Sequence, residues 1–200
     1  EAGARVLEIG CGWGGFAEHA ARTAQHQVRG ITLSREQLDF ARARIRQSKL
    51  QDRCRFDLQD YREEARQYDG IVSIEMFEAV GEAYWPAYFA TLKRSLKAGG
   101  RAVVQTILID DALFDRYRTG SDFIQQYVFP GGMLPSSRRF REEAARAGLG
   151  VTAEEHFGLD YAETLKRWRL AFHAKAEAVR RIGFDERFMR IWHFYLAYCE

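Results

Sequence analysis

Short apolar runs and helix-forming stretches alternate along the first 107 residues of this 200-residue chain. Five apolar runs, each bounded by glycine or by polar turn residues, predict buried strands at residues 5–9, 28–32, 55–58, 69–74 and 101–107. Helices are expected at residues 14–23, 35–47 and 83–96, the last one stopped by Gly99-Gly100. This alternation predicts an α/β fold, in which a mostly parallel, doubly wound sheet carries helices on both faces.

Ser34 stands immediately before the second predicted helix and is a favourable N-cap, because its hydroxyl can accept a backbone hydrogen bond from the first turn. Gln37 follows three residues later and completes the sequence pattern of a capping box. The helix is therefore predicted to begin at residue 35.

The alternation breaks after residue 107. Residues 108–137 show no clear period, and a long connection of this kind in a compact domain is usually functional. Beyond it we expect a helix at 138–147, a sixth strand at 151–156, and two aromatic-rich helices at 162–178 and 186–199, separated near Gly183. A single domain of 200 residues accommodates all of these elements.

The composition argues against several classes of protein. Lys plus Arg number 30 against 28 Asp plus Glu, and this small net charge of +2 predicts no nucleic-acid partner. The three cysteines are widely spaced and the five histidines have no metal-ligand spacing, so neither disulfides nor a metal site are expected. The sequence has no run of 18 apolar residues and no leader, which predicts a cytoplasmic protein. Its abrupt start and end are those expected of a fragment.

A glycine-rich turn, GCGWGG at 10–15, joins the first predicted strand to the first predicted helix. Glycines at such a turn let backbone N–H groups approach a ligand at the helix N-terminus. Glu8 lies two residues before the first glycine, where it can accept hydrogen bonds from a cationic ligand, directly or through water. The end of the second strand, GITLS at 30–34, lacks the acidic residue with which dinucleotide folds hold a ribose, so a nicotinamide cofactor fits poorly.

The stretch VLEIGCGWGGFA at 6–17 resembles the first motif of S-adenosylmethionine-dependent methyltransferases. Its GCGWGG form is similar to the cyclopropane-fatty-acyl-phospholipid synthase family, which includes mycolic acid cyclopropane synthases. Five further blocks resemble that family in its order: ITLSREQ at 31–37, LQDYR at 58–62, SIEMFEAVG at 73–81, FIQQYVFPGGMLPS at 123–136 and YLAYCE at 195–200. The resemblance runs from residue 4 to residue 200. It implies a Rossmann-like methyltransferase fold whose N-terminal helices and last strand are missing from this chain.

The resemblance implies S-adenosylmethionine as cofactor and assigns its contacts. Those from the first motif are Glu8, Gly10, Cys11, Gly12, Trp13 and Gly14, those from the second block are Thr32, Leu33, Ser34 and Gln37, and those from the third are Asp60 and Tyr61. The last two would flank the adenine, since a carboxylate accepts from an exocyclic amine and an aromatic ring stacks on a base. We interpret residues 1–107 as the cofactor-binding half, and residues 108–200 as the substrate-covering half, of one methyltransferase domain at 1–200.

The resemblance also implies the chemistry. Methylation of an unactivated alkene places positive charge on carbon, and ring closure then needs removal of a proton, for which the family uses a bicarbonate ion. Glu78 matches the family's glutamate at that ion and Tyr161 matches its tyrosine donor, whereas Glu75 is expected only to hydrogen-bond locally. Cys199 matches a cysteine long assigned to the active site, but its position late in an aromatic-rich helix favours a structural role.

Gln105 departs from the family pattern, because better-known members have histidine at the end of the fifth strand. Glutamine can donate a hydrogen bond to bicarbonate but cannot exchange a proton near neutral pH. Anion binding is therefore expected to survive, whereas a proton relay through this position is not. Two outcomes stay open: closure of a cyclopropane ring, or methyl transfer that leaves a methylated or methylene-branched chain.

The long connection is unusually apolar, and with the C-terminal aromatic residues it is expected to wall a groove for an acyl chain. The residues concerned are Phe114, Tyr117, Phe123, Tyr127, Val128, Phe129, Met133, Leu134, Trp168, Phe172, Phe188, Trp192, Phe194 and Tyr195. An ordinary helical core is the alternative for the last six.

Five arginines bracket this connection and predict peripheral docking on the inner membrane surface. They are Arg116, Arg118, Arg138, Arg139 and Arg141. The expected partners are unsaturated phospholipid acyl chains. A homodimer, a methyltransferase for a soluble small molecule and a non-catalytic binding remnant stay open.

Overall fold

The computed structural model describes residues 2–200, and its strands form one parallel five-stranded sheet in the order β3-β2-β1-β4-β5. The strands are β1 (Arg5–Ile9), β2 (Gln27–Thr32), β3 (Cys54–Leu58), β4 (Tyr68–Ile74) and β5 (Leu96–Gln105). The α-helices are α1 (Gly15–Thr23), α2 (Arg35–Gln47), α3 (Trp85–Ser95), α4 (Phe114–Thr119), α5 (Phe123–Tyr127), α6 (Ser137–Arg146), α7 (Gly158–Ala174), α8 (Ala176–Arg181) and α9 (Glu186–Cys199). The α/β fold with a parallel sheet is confirmed.

Helices cover both faces of this sheet. Val6 packs into an apolar cluster with buried alanines of α1 and with Leu38 and Ala41 of α2. The neighbouring residue Leu7 points to the opposite face, because successive strand residues alternate, and it is also fully buried. The central strands are therefore apolar on both sides, as in other parallel sheets.

The chain forms two compact units. The first unit comprises residues up to Arg116 together with Gly132–Gly150, and the second comprises Tyr117–Gly131 and Val151–Glu200. The first unit contains the whole sheet. Residues 132–150, which include α6, belong to this first unit, although the sequence placed the end of the cofactor-binding half at residue 107. The assignment of the whole chain to one domain stays a prediction.

One predicted strand was wrong, whereas the helix predicted at 83–96 is present but starts later and has a different stop. Residues 151–156 form no strand, because they are exposed and none of them pairs with a strand among residues 2–200. The predicted helix at 83–96 begins instead with a 3-10 turn at Glu82–Tyr84, and α3 starts at Trp85 with proline in its first turn. It is not stopped by glycines: Leu96 is already extended and pairs with Tyr68, so Gly99 and Gly100 lie within β5.

Candidate functional site

A cavity of about 480 Å³ opens in the first unit at the carboxyl ends of β1 and β2, beside the turn that follows β4. It is lined by Ile9, Gly10, Ile31, Thr32, Leu33, Ser34, Gln37, Gln59, Asp60, Tyr61, Arg62, Met76, Ala79, Val80 and Tyr84. Because β1 lies between β2 and β4, the strand order reverses here, which is where open α/β sheets bind ligands.

The glycine-rich turn holds three left-handed residues, with φ of +77° at Gly10, +48° at Gly12 and +77° at Gly14. A Cβ at Gly10 would lie 2.8 Å from Cγ of Met76, and one at Gly14 would lie 3.0 Å from Cβ of Ala41. A Cβ at Gly12 would meet nothing within 4 Å. Packing therefore requires glycine at the outer two positions, whereas Gly12 faces open space that a ligand can enter.

Five of the predicted cofactor contacts do not line the cavity: Glu8, Cys11, Gly12, Trp13 and Gly14. Glu8 is buried, and burial raises its pKa to about 8 although the Ala17 backbone N–H acts in the opposite direction. The Cys11 thiol is also buried, and burial together with the charge of Glu8 raises its pKa to about 12. Trp13 is half exposed against the Phe40 ring, and Gly14 packs on α2. Direct contact of these residues with the cofactor stays a prediction.

Thr32, Leu33, Ser34 and Gln37 all line the cavity. Ser34 caps α2 as predicted, since its Oγ accepts from the Gln37 backbone N–H at 3.2 Å. The reciprocal half of the capping box is wrong. Gln37 Oε1 accepts from the Thr32 hydroxyl at 2.9 Å, and the Ser34 N–H donates to the same hydroxyl at 3.1 Å. The Thr32 hydroxyl satisfies both groups, and within residues 2–200 the Gln37 NH2 group has no partner.

Asp60 and Tyr61 both line the cavity, and their placement beside the adenine stays a prediction. Both Asp60 carboxylate oxygens bind the Arg62 guanidinium, at 2.6 to 3.1 Å, and this holds the pKa of Asp60 below its usual range. Arg62 also lies over the Tyr84 ring, 5.5 Å from its centroid. Asp60 and Arg62 are the charged residues of the cavity wall and they neutralise one another.

A buried ion network fixes the segment that carries Asp60 and Tyr61. Arg29, on β2, donates to Asp57 at 2.7 Å, to Gln59 at 2.6 Å, to the Tyr68 hydroxyl at 3.1 Å and to the buried carboxylate of Glu64. Burial acts to raise the pKa values of Asp57 and Glu64, but hydrogen bonds and the charge of Arg29 outweigh it, and both pKa values are lowered.

Replacing Arg29 by leucine should destabilise the fold by about 3 kcal/mol or more, because it leaves a buried carboxylate without its partner. Arg55→Leu, at an arginine whose side chain is 73% exposed beside Asp57, should cost less than about 1 kcal/mol. Carboxylates with lowered pKa values stabilise the fold above their unfolded pKa and lose that contribution as the pH falls. Urea unfolding from pH 6 to pH 3 should therefore show a shallower loss of stability in Arg29→Leu than in the parent chain, and an equal slope would contradict this assignment.

Glu78 and Gln105 lie at adjacent strand ends. Glu78 follows β4 in a 3-10 turn, Phe77–Ala79, and its Oε1 accepts from the Ile107 N–H at 2.6 Å just beyond β5. Its Oε2 is buried and has no hydrogen-bond partner among residues 2–200. Burial is the main cause that raises the pKa of Glu78. Glu75 accepts a hydrogen bond from Gln105 Nε2 at 2.9 Å, so its expected local hydrogen bonding is confirmed.

Tyr161 and Cys199 belong to the second unit, on α7 and at the end of α9. The Tyr161 ring contacts Trp168 edge to face at 6.3 Å. Burial raises the pKa of the Cys199 thiol, and the charge of Asp122 acts in the same direction. This disfavours the thiolate that a nucleophilic cysteine needs.

The residues predicted to wall an acyl groove are divided between the two units. Phe114 and Met133 are buried in the first unit, where Phe114 contacts Trp85, so Phe114 is a core residue. In the second unit, Phe123 contacts Phe194 and Phe129 contacts Tyr195, while Phe184, Phe188 and Trp192 stack along α9. Phe129 and Phe194 are each 50% exposed, so this unit presents apolar surface.

Sequence reasoning missed part of the cavity wall. Gln59 and Arg62 lie in the LQDYR block, next to the predicted contacts Asp60 and Tyr61. Met76, Ala79 and Val80 lie in the SIEMFEAVG block, within two residues of Glu78. Tyr84 lies outside every block and carries no signal of its own. No group of three or more potential metal ligands was found in the part of the chain that the structure describes.

The cavity fits the cofactor that the resemblance implies. Part of its wall is apolar, formed by Ile9, Ile31 and Leu33, as an adenine ring or a methionine side chain requires. The unpartnered Gln37 NH2 can donate to a carboxylate, and Asp60 has lone pairs left for an amine after binding Arg62. Gly12 does not itself line the cavity, but the open space beside it leaves its backbone accessible.

A family model described as mycolic acid cyclopropane synthetase matches residues 1–200, the whole chain. The chain belongs to this family. Two of its relatives are tuberculostearic acid methyltransferase of Mycobacterium tuberculosis, 41% identical over 99% of this chain, and cyclopropane-fatty-acyl-phospholipid synthase of Escherichia coli K12, 36% identical over 98%. The chain spans 46% and 49% of their lengths, about half of each.

The structure also belongs with solved members of the mycolic acid cyclopropane synthetase family. A mycolic acid cyclopropane synthase solved in complex with SAH and CTAB is 28% identical, with a TM-score of 0.86 over 100% of this chain and 73% of the other. The Rossmann-like methyltransferase fold of the cyclopropane synthases is thus confirmed for this family member. The matched relatives include both a cyclopropane synthase and a fatty acid methyltransferase.

Proposed function

We propose that this chain binds S-adenosylmethionine in the cavity of the first unit and transfers a one-carbon group from it to the cis double bond of an unsaturated phospholipid acyl chain, forming a cyclopropane. The single observation that carries the ring-closing step is Glu78. Its carboxylate stands at the carboxyl end of β4, anchored through Oε1, with a buried and unpartnered Oε2. Met76, Ala79 and Val80 on either side of it line the cavity.

The cofactor supplies an electrophilic methyl group on a sulfonium when it is bound. The open space at Gly12 would admit it, Gln37 would donate to its carboxylate, and Asp60 would accept from its adenine amine. A related cyclopropane synthase was solved in complex with SAH, which supports S-adenosylmethionine as the cofactor. Glu78 is the carboxylate that we assign to the loss of a proton that ring closure requires, because a positioned carboxylate can serve acid–base chemistry.

Bicarbonate, the proton acceptor that the resemblance implies, does not fit the first unit by itself. Two donors at this position are the Gln105 Nε2 and the Ile107 N–H, and they bind the carboxylates of Glu75 and Glu78. The charge of Glu75 also acts to raise the pKa of Glu78, and a further anion beside these carboxylates is disfavoured. No step is routed through bicarbonate.

Methyl transfer without ring closure is a second candidate, and a specific observation favours it. Gln105 holds Glu75 and has no proton to exchange, so this strand end offers no relay. The relative at 41% identity is named a tuberculostearic acid methyltransferase. In this case the same site would leave a methylated or methylene-branched acyl chain.

The decisive experiment incubates the protein with unsaturated phospholipid vesicles and methyl-deuterated S-adenosylmethionine. Mass spectrometry of the acyl chains should show two deuterium atoms retained from the transferred CD3 group in a cyclopropane, because ring closure removes one. Fragmentation separates the ring from a methylene branch, which also keeps two. Transfer only to soluble acceptors would point to a small-molecule methyltransferase, and cofactor binding without turnover to a binding remnant.

Docking on the membrane surface is part of this proposal. No helix within residues 2–200 is both long and apolar enough to cross a bilayer. Arg138 and Arg141 are exposed on α6, and a hydrogen bond from Ser136 together with the charges of both arginines lowers the pKa of Asp111. Arg139 is half-buried and pairs with Glu142 and Glu143. Exposed arginines near an anionic leaflet each contribute roughly 1 kcal/mol.

Binding to anionic vesicles should weaken as salt rises, because charge attraction is screened over about 8 Å at physiological ionic strength. The variant R138Q/R141Q should lose on the order of tenfold in vesicle affinity at low salt. The control R46Q/K49Q removes two exposed charges at the end of α2 and should change little. If the parent and R138Q/R141Q sedimented equally with anionic vesicles, α6 would not be part of the docking surface.

A further inference from the structure

A second cavity, of about 390 Å³, opens in the first unit at the amino edge of the sheet. Its wall includes the first residues of β1, β2, β3 and β4, which are Arg5, Gln27, Cys54 and Tyr68. The cofactor cavity lies at the opposite, carboxyl edge. Because β1 has five residues, the two edges are about 17 Å apart along this strand. The second cavity is therefore separate from the proposed cofactor site.

Arginines are concentrated on the wall of this second cavity. They are Arg5, Arg29, Arg53, Arg55 and Arg66. Within residues 2–200, Asp52 is the one acidic residue of the wall. The whole chain has a net charge of only +2, so this wall differs from the chain as a whole. A concave wall lined by positive charge raises the local concentration of anions.

Two of these arginines are compensated by carboxylates outside the wall. Arg29 donates to Asp57 and to the buried carboxylate of Glu64, and Arg55 donates to the other Asp57 oxygen at 3.3 Å. These contacts hold the two side chains on β2 and β3 and offset most of their charge. A ligand in the cavity must therefore be attracted mainly by the other three arginines.

Arg5, Arg53 and Arg66 keep guanidinium donors for a ligand. Arg53 Nη1 donates to a neutral acceptor, the Gln25 carbonyl, at 2.8 Å. Arg5 and Arg66 each donate a backbone N–H to a carboxylate, but within residues 2–200 their guanidinium groups donate no hydrogen bond. All three residues are exposed, so a ligand can reach them from solvent.

The carboxylates that accept these two backbone N–H groups are shared with other cations. The Arg5 N–H binds Asp69, whose other oxygen accepts from Lys97 at 2.5 Å. The Arg66 N–H binds Glu64, which already has a buried guanidinium partner. Neither carboxylate is an exclusive counter-ion of these arginines, and the wall keeps an excess of positive charge.

We propose that the second cavity binds a small soluble molecule that carries two or more linked phosphate groups. A guanidinium group is planar and binds phosphate oxygens through two parallel hydrogen bonds. Arg5, Arg53 and Arg66 stand on three separate segments, at the starts of β1, β3 and β4, so linked phosphates can contact more than one of them. The volume of about 390 Å³ lies within the range of small-ligand pockets, roughly 300 to 1,000 Å³. The inference goes beyond the proposed function.

Calorimetric titration of the whole chain with sodium pyrophosphate, without cofactor or lipid, tests this site. Pyrophosphate should bind at one site per chain, with an affinity that falls as sodium chloride rises. R53Q/R66Q should weaken binding by about tenfold or more, because a hydrogen bond between charged groups is worth roughly that factor. R53K/R66K keeps both charges and should bind more tightly than R53Q/R66Q.

R138Q/R141Q is the matched control. It removes the same charge from exposed positions on α6 and should bind pyrophosphate as the parent does. Thermal unfolding shows whether each variant is folded. It also gives a second readout, since pyrophosphate should raise the melting temperature of the parent more than that of R53Q/R66Q.

Three results would overturn the proposal. The first is no pyrophosphate binding by the parent, or equal affinity in the parent and R53Q/R66Q. The second is an equal loss in R138Q/R141Q, since total charge and not this cavity would then govern binding. The third is an R53Q/R66Q variant that keeps pyrophosphate but no longer sediments with phosphatidylglycerol vesicles, which would make the wall a membrane contact. None of these measurements uses turnover, so the proposed function is tested separately.

Discussion

Glu78→Gln should lower turnover by on the order of 10²-fold or more, the range expected for loss of a positioned acid–base group. Glutamine keeps the size of the side chain and an oxygen for the Ile107 N–H, which Glu78 Oε1 accepts at 2.6 Å. It removes the basicity of the second oxygen, which is buried and unpartnered. The substitution therefore tests proton acceptance and leaves packing in place. Steady-state assays by deuterium incorporation into acyl chains measure the effect.

Cofactor affinity should change little in Glu78→Gln, because Glu78 is absent from the cavity wall. Calorimetric titration with S-adenosylmethionine checks this point. Glu155→Gln makes a matched control, since Glu155 is exposed between α6 and α7 and should be replaceable at no cost to turnover. Normal turnover of Glu78→Gln would remove Glu78 from the chemistry and leave only the methyltransferase fold.

Gly12→Val should reduce cofactor affinity by about 100-fold or more. Gly12 has φ of +48° and open space where a Cβ would stand, so valine would place a branched side chain where the ligand must approach backbone. A β-branched residue in the left-handed region is also strained. Both effects act on the turn that opens α1, and titration calorimetry with the cofactor measures their sum.

Gly99→Val separates these two effects. Gly99 has φ of +76° and also meets nothing within 4 Å, but it lies within β5 and outside the glycine-rich turn. It should lower the free energy of unfolding to a similar extent and leave cofactor affinity near that of the parent. Equal binding by Gly12→Val and the parent would show that this turn does not contact the ligand.

The order of the strands along the chain was predictable because parallel strands buried on both faces are short continuous apolar runs. The sixth strand at 151–156 failed for the same reason: a run of this kind shows apolar character but not whether a neighbouring strand is free to pair. The end of the helix before β5 failed because Leu96 pairs with Tyr68, a contact distant in sequence that overrides the glycine signal.

The candidate site was predictable where chemistry and sequence position coincide. Thr32, Ser34 and Gln37 lie on one helix start, and Asp60 follows a strand, so local patterns bring them to the cavity. The partner of each polar group was not predictable, because it depends on which groups meet across the sheet edge. Gln105 was expected to face an anion and instead binds Glu75, and Gln37 binds Thr32 rather than the helix cap.

The near-neutral cavity has a consequence for how the reaction cycle ends. Asp60 and Arg62 cancel one another on its wall, and burial raises the pKa of Glu8, on β1, to about 8, which favours its neutral form. Substrate and spent cofactor differ by one positive charge at sulfur, and a wall without net charge gives little electrostatic preference between them. S-adenosylhomocysteine should therefore compete with S-adenosylmethionine at comparable concentrations, and sustained turnover in a cell would depend on how quickly that product is cleared.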